Sequence, residues 1–295
     1  MYEDHQVISI YRKAGKPDRV MEAYDNTLQL WKVQVESKYI STSFGNIHVL
    51  VAGPEDGEPM VLLHGFGFSS TVWLDTIEAV CTCYRVYAID FPGDINKSIS
   101  TRPIKSKEEC AAWFAEVLDG LDIDRVHVCG HSFGGFIALV LAARLFSRIQ
   151  KIIALAPGAS LQPQSKEFFI RSLFAGLMPT TTRLTKFMDY MTGKGNSVNE
   201  TIKNQFITGM QHALPRTRLF VSCLNDDELQ LISNPVLLII GDQDIQYNVN
   251  RAVERANKLI HNIEASIIPR TGHGLPLERP ELVNDLILEF LGRKP

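Results

Sequence analysis

The 295-residue sequence predicts an α/β fold, in which a mostly parallel central sheet is flanked by helices and carries a helical cap. Short apolar segments of strand length alternate with longer segments whose apolar residues recur at helical spacing. Strands that are apolar on both faces are typical of a parallel sheet covered by helices on both sides. One stretch, residues 161–232, breaks the alternation because several helical patterns follow one another there without a convincing strand.

The elements of the sheet follow one another in a regular order. Residues 15–30 predict a peripheral helix that begins near Pro17, and the alternating patterns at 33–40 and 46–51 predict a hairpin at one edge of the sheet. Apolar strands are then predicted at 60–63, 84–89, 126–129, 152–156, 236–240 and 265–268. The accompanying helices are predicted at 71–81, 106–121, 133–145, 248–260 and 280–291.

The cap is predicted to consist of helices joined by Gly and Pro, at 166–177, 181–191, 197–210 and 217–223. It lies between two halves of the predicted sheet and divides the chain into parts. These parts are an N-terminal extension with the peripheral helix (1–37), the first part of the core (38–160), the cap (161–232) and the second part of the core (233–295).

The composition excludes several classes of protein. A hydrophobic content of 45% and a net charge of −3 fit neither a disordered chain nor the basic excess of a nucleic-acid-binding protein. No apolar run approaches the length of about 20 residues that a membrane span requires, and the N-terminus lacks the pattern of a signal peptide. We therefore expect a cytoplasmic protein with no nucleic-acid or membrane partner, and we leave a homodimer open.

The cysteine and glycine patterns predict neither a metal site nor a cofactor. The five cysteines are odd in number and widely spread, which favours a reducing compartment over a disulfide framework. Cys81 and Cys83 have no nearby His or Cys that would complete a zinc site. Gly65 and Gly67 lack the third glycine of a dinucleotide-binding motif, and no phosphate-binding loop motif occurs.

A candidate nucleophile lies between a predicted strand and a predicted helix. Residues 130–134 read Gly-His-Ser-Phe-Gly, a G-x-S-x-G motif that follows the strand at 126–129 and opens the helix at 133–145. The flanking glycines allow the backbone and the helix to approach closely, and the serine occupies a strained turn. This context predicts that the Ser132 hydroxyl projects at the carboxyl edge of the sheet.

A serine hydroxyl is nearly inert unless a base activates it. Asp242 and Asp244 follow the predicted strand at 236–240, and His273 follows the one at 265–268. The order serine, acid, histidine predicts that His273 takes the proton from Ser132 while a carboxylate orients the imidazole. An aspartate after a strand also commonly caps a helix, and a histidine between glycines also occurs in turns.

A further characteristic sequence lies at residues 90–98, which read Asp-Phe-Pro-Gly-Asp-Ile-Asn-Lys-Ser. From about residue 38 to residue 291 the chain resembles serine hydrolases of the α/β-hydrolase fold, in particular Bacillus-type carboxylesterases. The resemblance implies that Asp244 is the orienting acid, with Asp242 as the alternative. Where many relatives have Gly-x-Gly-x-Ser, this chain has Asp94 before Ile95, which leaves the geometry of the entrance open.

The same resemblance implies an oxyanion hole, and the positions of other polar residues predict secondary roles for them. The backbone amides of Phe66 and Phe133 are the expected donors to the oxyanion. His64 is expected to brace its loop, and His131 has a weak claim to a catalytic role. Asp90, at the end of a strand on the same rim, is expected to brace loops there.

The function predicted from these residues is the hydrolysis of small to medium carboxylic esters through an acyl-enzyme on Ser132, without a cofactor. Serine at this position argues against the haloalkane dehalogenases and epoxide hydrolases of the fold, which carry aspartate there. Carbon–carbon bond hydrolases, thioesterases, lactonases, aminopeptidases and cofactor-free haloperoxidases stay open as alternatives, because fold does not determine chemistry. The alternative that is not an enzyme is a ligand-binding protein that keeps this scaffold without turnover.

Overall fold

A computed structural model describes residues 6–292, so the first five and the last three positions of the predicted parts 1–37 and 233–295 lie outside it. Within this range the chain forms one sheet of nine strands. The strands are β1 (Glu36–Thr42), β2 (Gly45–Ala52), β3 (Glu58–Leu63), β4 (Tyr84–Ile89), β5 (Ile99–Ser100), β6 (Val126–His131), β7 (Ile149–Leu155), β8 (Val236–Gly241) and β9 (Ile263–Ile268).

Helices lie between most of the strands. They are α1 (Pro17–Leu28), α2 (Leu74–Val80), α3 (Lys107–Gly120), α4 (Phe133–Arg144), α5 (Lys166–Leu177), α6 (Thr181–Met191), α7 (Glu200–His212), α8 (Asp226–Gln230), α9 (Val249–Leu259), α10 (Leu275–Glu278) and α11 (Pro280–Leu291). The predicted helix at 71–81 begins as a 3-10 turn, Ser70–Trp73, before α2. Among the described helices, none combines the length and the apolar character needed to cross a membrane.

The sheet is mostly parallel, as predicted. Its strand order is β1-β2-β4-β3-β6-β7-β8-β9, with β5 paired to β2. The pairs from β4 through β9 in this order are parallel, and the antiparallel pairs all involve β2, which lies next to the edge strand β1. Because the carboxyl ends of parallel strands meet at one edge, the loops after β3, β6, β8 and β9 lie at the same rim.

Helices cover both faces of the sheet because its strands are apolar on both sides. On one face α3, α4 and α9 pack on the strands, and Trp113 and Phe114 of α3 are fully buried there. On the other face α1, α2 and α11 pack, with Tyr24 and Ile77 among the buried residues. The six residues of β6 are all buried, which places the strand that carries the G-x-S-x-G motif in the centre of the fold.

Four helices, α5 to α8, lie between β7 and β8. They fall within residues 161–232, which we call the cap segment as a proposed division of the chain. The helix predicted at 217–223 is wrong, because residues 214–225 form no regular secondary structure. A helix begins only after Asn225, whose side chain caps α8 and forms a capping box with Glu228. Pro215 and the β-branched residues that follow it lack any comparable start signal.

Glu228 attaches α8 to the core. Its carboxylate accepts hydrogen bonds from Lys107 Nζ at 2.7 and 2.8 Å and from Arg144 at 2.7 Å, and so links α8 to α3 and α4. Partial burial raises the pKa of Glu228, but the hydrogen bonds from Lys107 and Arg144 outweigh this effect and lower it to about 2. The ionised form of Glu228 therefore stabilises the folded protein.

The variant Glu228→Gln should be less stable than the parent at neutral pH, by up to about 3 kcal/mol, since the pKa falls from 4.5 to about 2 on folding. A lowered pKa contributes stability above the unfolded value and loses it as pH falls. The difference should therefore shrink between pH 4.5 and pH 2. Urea unfolding at several pH values measures it, with the exposed Glu254→Gln as control. A pH-independent difference would contradict this account.

Candidate active site

Ser132 occupies the turn between β6 and α4 in a conformation that few residues other than glycine adopt, with φ of 53°. Its amide donates to the Leu155 carbonyl at 2.9 Å, and its carbonyl accepts from Phe136 and Gly158, both at 2.9 Å. A Cβ at Gly134 would collide with the carbonyl oxygen of Leu63 on the neighbouring strand. The glycine spacing of the motif therefore makes this turn sterically feasible.

The three polar residues predicted from the sequence lie in hydrogen-bond contact. Ser132 Oγ is 2.8 Å from His273 Nε2, and His273 Nδ1 is 2.8 Å from Asp244 Oδ2. His273 and Asp244 are buried, with 4% and 7% exposure. The second carboxylate oxygen of Asp244 accepts the Gln246 amide at 2.8 Å, which holds the carboxylate toward the imidazole. This arrangement can pass a proton from the serine hydroxyl to the imidazole.

The alternative acid, Asp242, lies elsewhere. It is exposed, and its carboxylate accepts the Thr271 amide at 3.1 Å, so it supports the loop that carries His273 without contacting the imidazole. The sequence alone does not decide whether Asp242 or Asp244 is the orienting acid, because both follow β8. The geometry brings Asp244, and not Asp242, to the ring of His273.

The backbone of His273 is held from two sides. Its amide donates to the Met191 carbonyl at the end of α6, at 2.8 Å. Its carbonyl accepts a hydrogen bond of 2.8 Å from His131 Nε2. Burial and the proximity of His273 lower the pKa of His131 to about 3, so the neutral ring is the donor near neutral pH. His131 therefore acts here as a support for the loop of His273.

Sequence reasoning missed a further support, Glu278. Its Oε2 atom accepts hydrogen bonds from the Gly193 and Gly272 amides at 2.8 and 3.0 Å and from Asn196 Nδ2 at 2.8 Å. One carboxylate thus ties the segment after α6 to the loop of His273. No sequence pattern signals this role, because Gly193 and Gly272 are distant along the chain and meet only in the folded protein.

The expected oxyanion donors flank Ser132. An ideal Cβ placed on Gly65 would lie 3.6 Å from Ser132 Cβ, which puts the loop after β3 directly beside the serine. The rings of Phe66 and Phe133 meet edge to face, with centroids 6.2 Å apart. Among the described residues, neither backbone amide donates to a protein acceptor. Both N–H groups are therefore without an acceptor among the described residues, as donors to a bound oxygen must be.

Buried polar side chains fix the loop after β3. His64 donates through Nδ1 to the Gly65 carbonyl at 2.8 Å and accepts the Phe91 amide through Nε2 at 3.0 Å, which is a bracing role. Asp94 accepts the Gly67 amide at 3.1 and 3.0 Å and the Ile95 amide at 2.8 Å. Asp94 has no exposed surface, and burial raises its pKa to about 6. Asp94, the residue that sets this chain apart from the Gly-x-Gly-x-Ser pattern, thus anchors the loop that contains Phe66.

Asp90 braces the same rim. It accepts the Ser70 amide at 2.8 Å and a hydrogen bond from His48 Nδ1 at 2.9 Å, and Tyr24 donates to it at 3.1 Å. Burial alone would raise its pKa, but the hydrogen bond and the proximity of His48 lower it below the usual value. An ionised Asp90 therefore joins the end of β4 to β2, α1 and the 3-10 turn.

Aromatic side chains of the cap segment cover the site. The Phe168 ring of α5 lies 6.1 Å from the His273 ring, measured between centroids. Phe206 of α7 stacks on Phe68 of the loop after β3, with centroids 4.9 Å apart. The cap segment therefore contacts both sides of the site. Within residues 6–292, no group of three His, Cys, Asp or Glu side chains is placed to hold a metal ion.

Comparison with known proteins identifies the family. Residues 60–286 match the family model described as the alpha/beta hydrolase family, which is more than half of the chain. The chain belongs to this family. This α/β-hydrolase is also 34% identical over 278 residues, 92% of both chains, to a Bacillus subtilis (strain 168) protein described as the uncharacterized carboxylesterase nap.

Two solved structures from Bacillus subtilis resemble this α/β-hydrolase closely. Carboxylesterase CesB (YbfK) has a TM-score of 0.88 at 31% identity, covering 93% of this chain and 98% of that one. Naproxen esterase (carboxylesterase NP) has a TM-score of 0.89 at 32% identity, covering 95% and 100%. The predicted fold class and the predicted resemblance to Bacillus-type carboxylesterases are confirmed.

The variant Asp94→Asn tests the anchor of the loop after β3. A raised pKa means that the stability linked to Asp94 is present below the unfolded value of 3.8 and is lost as pH rises through about 6. The asparagine of the variant does not ionise, so the variant does not lose this stability as the pH rises. Its free energy of unfolding relative to the parent should therefore increase by up to about 3 kcal/mol from pH 4 to pH 8. Urea unfolding across this range measures the change, with the exposed Asp56→Asn as control. Parallel pH curves for parent and Asp94→Asn would refute the assignment.

Proposed function

We propose that this protein is a carboxylesterase that cleaves small to medium carboxylic esters through an acyl-enzyme on Ser132, with His273 as base and Asp244 as the orienting acid. The observation that carries the proposal is the continuous hydrogen-bond chain from Ser132 Oγ through the imidazole to Asp244. The carboxylesterases of Bacillus subtilis that resemble the chain over more than nine-tenths of its length support esters as the substrate class.

Acylation begins when Ser132 Oγ attacks the ester carbonyl carbon. His273 Nε2, 2.8 Å from Oγ, accepts the hydroxyl proton as the new C–O bond forms. The carbonyl oxygen becomes an oxyanion, to which the Phe66 and Phe133 amides donate. Removing one such donor from a serine hydrolase typically costs about 3 kcal/mol of transition-state stabilisation.

Collapse of the tetrahedral intermediate breaks the bond to the leaving oxygen. The imidazolium of His273 returns its proton to that oxygen, so a neutral alcohol departs and the acyl group remains on Ser132. A water molecule then repeats the sequence, giving its proton to His273 while its oxygen attacks the acyl carbon. The carboxylic acid leaves and the Ser132 hydroxyl is restored, and every step uses groups of this chain without a cofactor.

Asp244 makes both proton transfers possible. Its carboxylate accepts a hydrogen bond from the Nδ1–H of His273, which leaves Nε2 unprotonated and free to take the proton of Ser132. The negative charge also stabilises the imidazolium that forms during attack. The Gln246 amide prevents the carboxylate from turning away.

A cytoplasmic location belongs to the same proposal. All five cysteines are free, which suits a reducing compartment. The division of the chain into an extension, two core parts and the cap segment is likewise proposed, and a homodimer stays open.

The hydrolysis of p-nitrophenyl acetate and of longer acyl esters separates the roles of these residues. Ser132→Ala should lose about 10⁴-fold or more in turnover, because the acyl-enzyme cannot form. Asp244→Asn should lose about 10³- to 10⁴-fold, because the imidazole adopts the wrong tautomer. Asp242→Asn is the matched control and should stay within a few-fold of the parent. Equal rates for parent and Ser132→Ala would exclude the proposed enzyme, and a greater loss in Asp242→Asn than in Asp244→Asn would overturn the assigned acid.

A further inference from the structure

The cap helix α5 is apolar on both its inner and its outer side. Its inner side is buried through Phe168 and Ala175, which are 8% and 5% exposed. Large apolar side chains on its other sides and just after it are 43–66% exposed, namely Phe169, Ile170, Leu173, Phe174, Leu177 and Met178. A helix side that is apolar is normally packed against another part of the protein. Within the described residues, nothing covers the outer side of α5.

The exposed side chains form one continuous stripe. Phe169, Leu173 and Leu177 recur at intervals of four residues, and Ile170 and Phe174 form an adjacent row. At about 100° per residue both rows point away from Phe168. We call these five residues the α5 outer face. Contiguous exposed apolar patches of this kind mark sites of interaction with another molecule or a membrane.

The charge around the α5 outer face has the opposite sign to that of the whole protein. Residues 165–196, which contain α5 and α6, carry five Lys or Arg against two Asp or Glu, a net charge of +3, whereas the chain carries −3. Both acidic residues are already engaged, since Glu167 pairs with Arg171 at 2.8 Å and Asp189 lies 3.8 Å from Lys203.

Four cations of this segment remain without an ion pair among the described residues. All of them are exposed, and they are Lys166, Arg183, Lys186 and Lys194. Tyr190 of α6 lies under the Arg171 guanidinium, 4.2 Å from it, so α5 and α6 contact each other. Lys166 lies one turn before Phe169 and Ile170 on α5, and Lys186 lies one turn before Tyr190 on α6. An apolar face bordered by unpaired cations is typical of helices that lie on an anionic membrane surface.

We propose that the α5 outer face docks on an anionic lipid surface, with its apolar side chains among the acyl chains and the neighbouring cations on headgroup phosphates. A second copy of this chain is a poorer occupant, because a two-fold contact through this face would bring two segments of charge +3 together. The expectation of no membrane partner rests on the lack of a segment that could span a membrane. Attachment to the surface of a membrane needs no such segment.

Docking at this face would bring the candidate site close to the lipid. Phe168, on the inner side of the same helix, contacts His273, so α5 lies between the surface and the imidazole. This consequence rests on the proposed esterase function, but the docking itself does not. The test therefore measures binding and hydrolysis separately.

Sedimentation of the full-length protein with vesicles tests the inference. The parent should bind vesicles containing phosphatidylglycerol, should bind less at high salt, and should not bind phosphatidylcholine alone. Leu173→Ser/Leu177→Ser should weaken binding at least about tenfold, since it removes apolar area from the stripe. Arg183→Glu/Lys186→Glu should weaken it at least about tenfold by reversing two charges.

Matched substitutions elsewhere serve as controls. Phe146, which is 60% exposed outside the cap segment, and Lys258, an exposed cation of α9, should be replaceable by Ser and Glu without change in binding. Leu173→Ser/Leu177→Ser should hydrolyse a soluble ester at the parent rate. Retained thermal stability and hydrolysis show that this variant is folded.

Several results would overturn the inference. The parent could fail to bind phosphatidylglycerol vesicles, bind phosphatidylcholine equally well, or bind unchanged after Leu173→Ser/Leu177→Ser. Gel filtration gives a further decisive outcome, because a parent dimer that this variant converts to monomer would assign the face to self-association. Loss of hydrolysis in Ser132→Ala with intact vesicle binding separates the esterase proposal from the docking proposal.

Discussion

The left-handed backbone at Ser132 is the constraint on which the candidate site depends. A non-glycine residue held in such a conformation costs on the order of 1–3 kcal/mol, and the surrounding structure must supply that free energy. Three backbone hydrogen bonds of Ser132 and the burial of β6 on both faces do so here. The same turn directs Oγ toward His273, so the strain and the reactive geometry have a common origin.

The parallel register of the sheet explains how distant residues meet. Gly241 at the end of β8 pairs with Ile268 at the end of β9, so the loops that follow these strands leave the sheet side by side. Asp244 comes three residues after Gly241, and His273 comes five residues after Ile268. The acid and the base are therefore brought together by a strand pair, and the elbow after β6 adds the serine at the same rim.

The parts of this architecture that were predictable from the sequence are those that depend on local pattern. Apolar strands, capped helices and the glycine spacing around Ser132 each leave a signal within a few residues, and the sheet follows from them. The choice between Asp242 and Asp244 leaves no such signal, because both follow β8 and differ only in where the loop turns. Glu278 and Asp94 act on amides of distant loops, so their roles exist only after packing. The helix predicted at 217–223 is wrong because apolar residues without a helix start signal are compatible with a helix and with an irregular segment alike.

Reaction with a serine-selective organophosphonate, followed by peptide mass spectrometry, tests the central claim most directly. A single adduct on Ser132, absent when the protein carries His273→Ala, would show that the hydroxyl is activated through the imidazole. An adduct on another serine, or labelling of Ser132 that does not require His273, would contradict the hydrogen-bond chain as the source of reactivity.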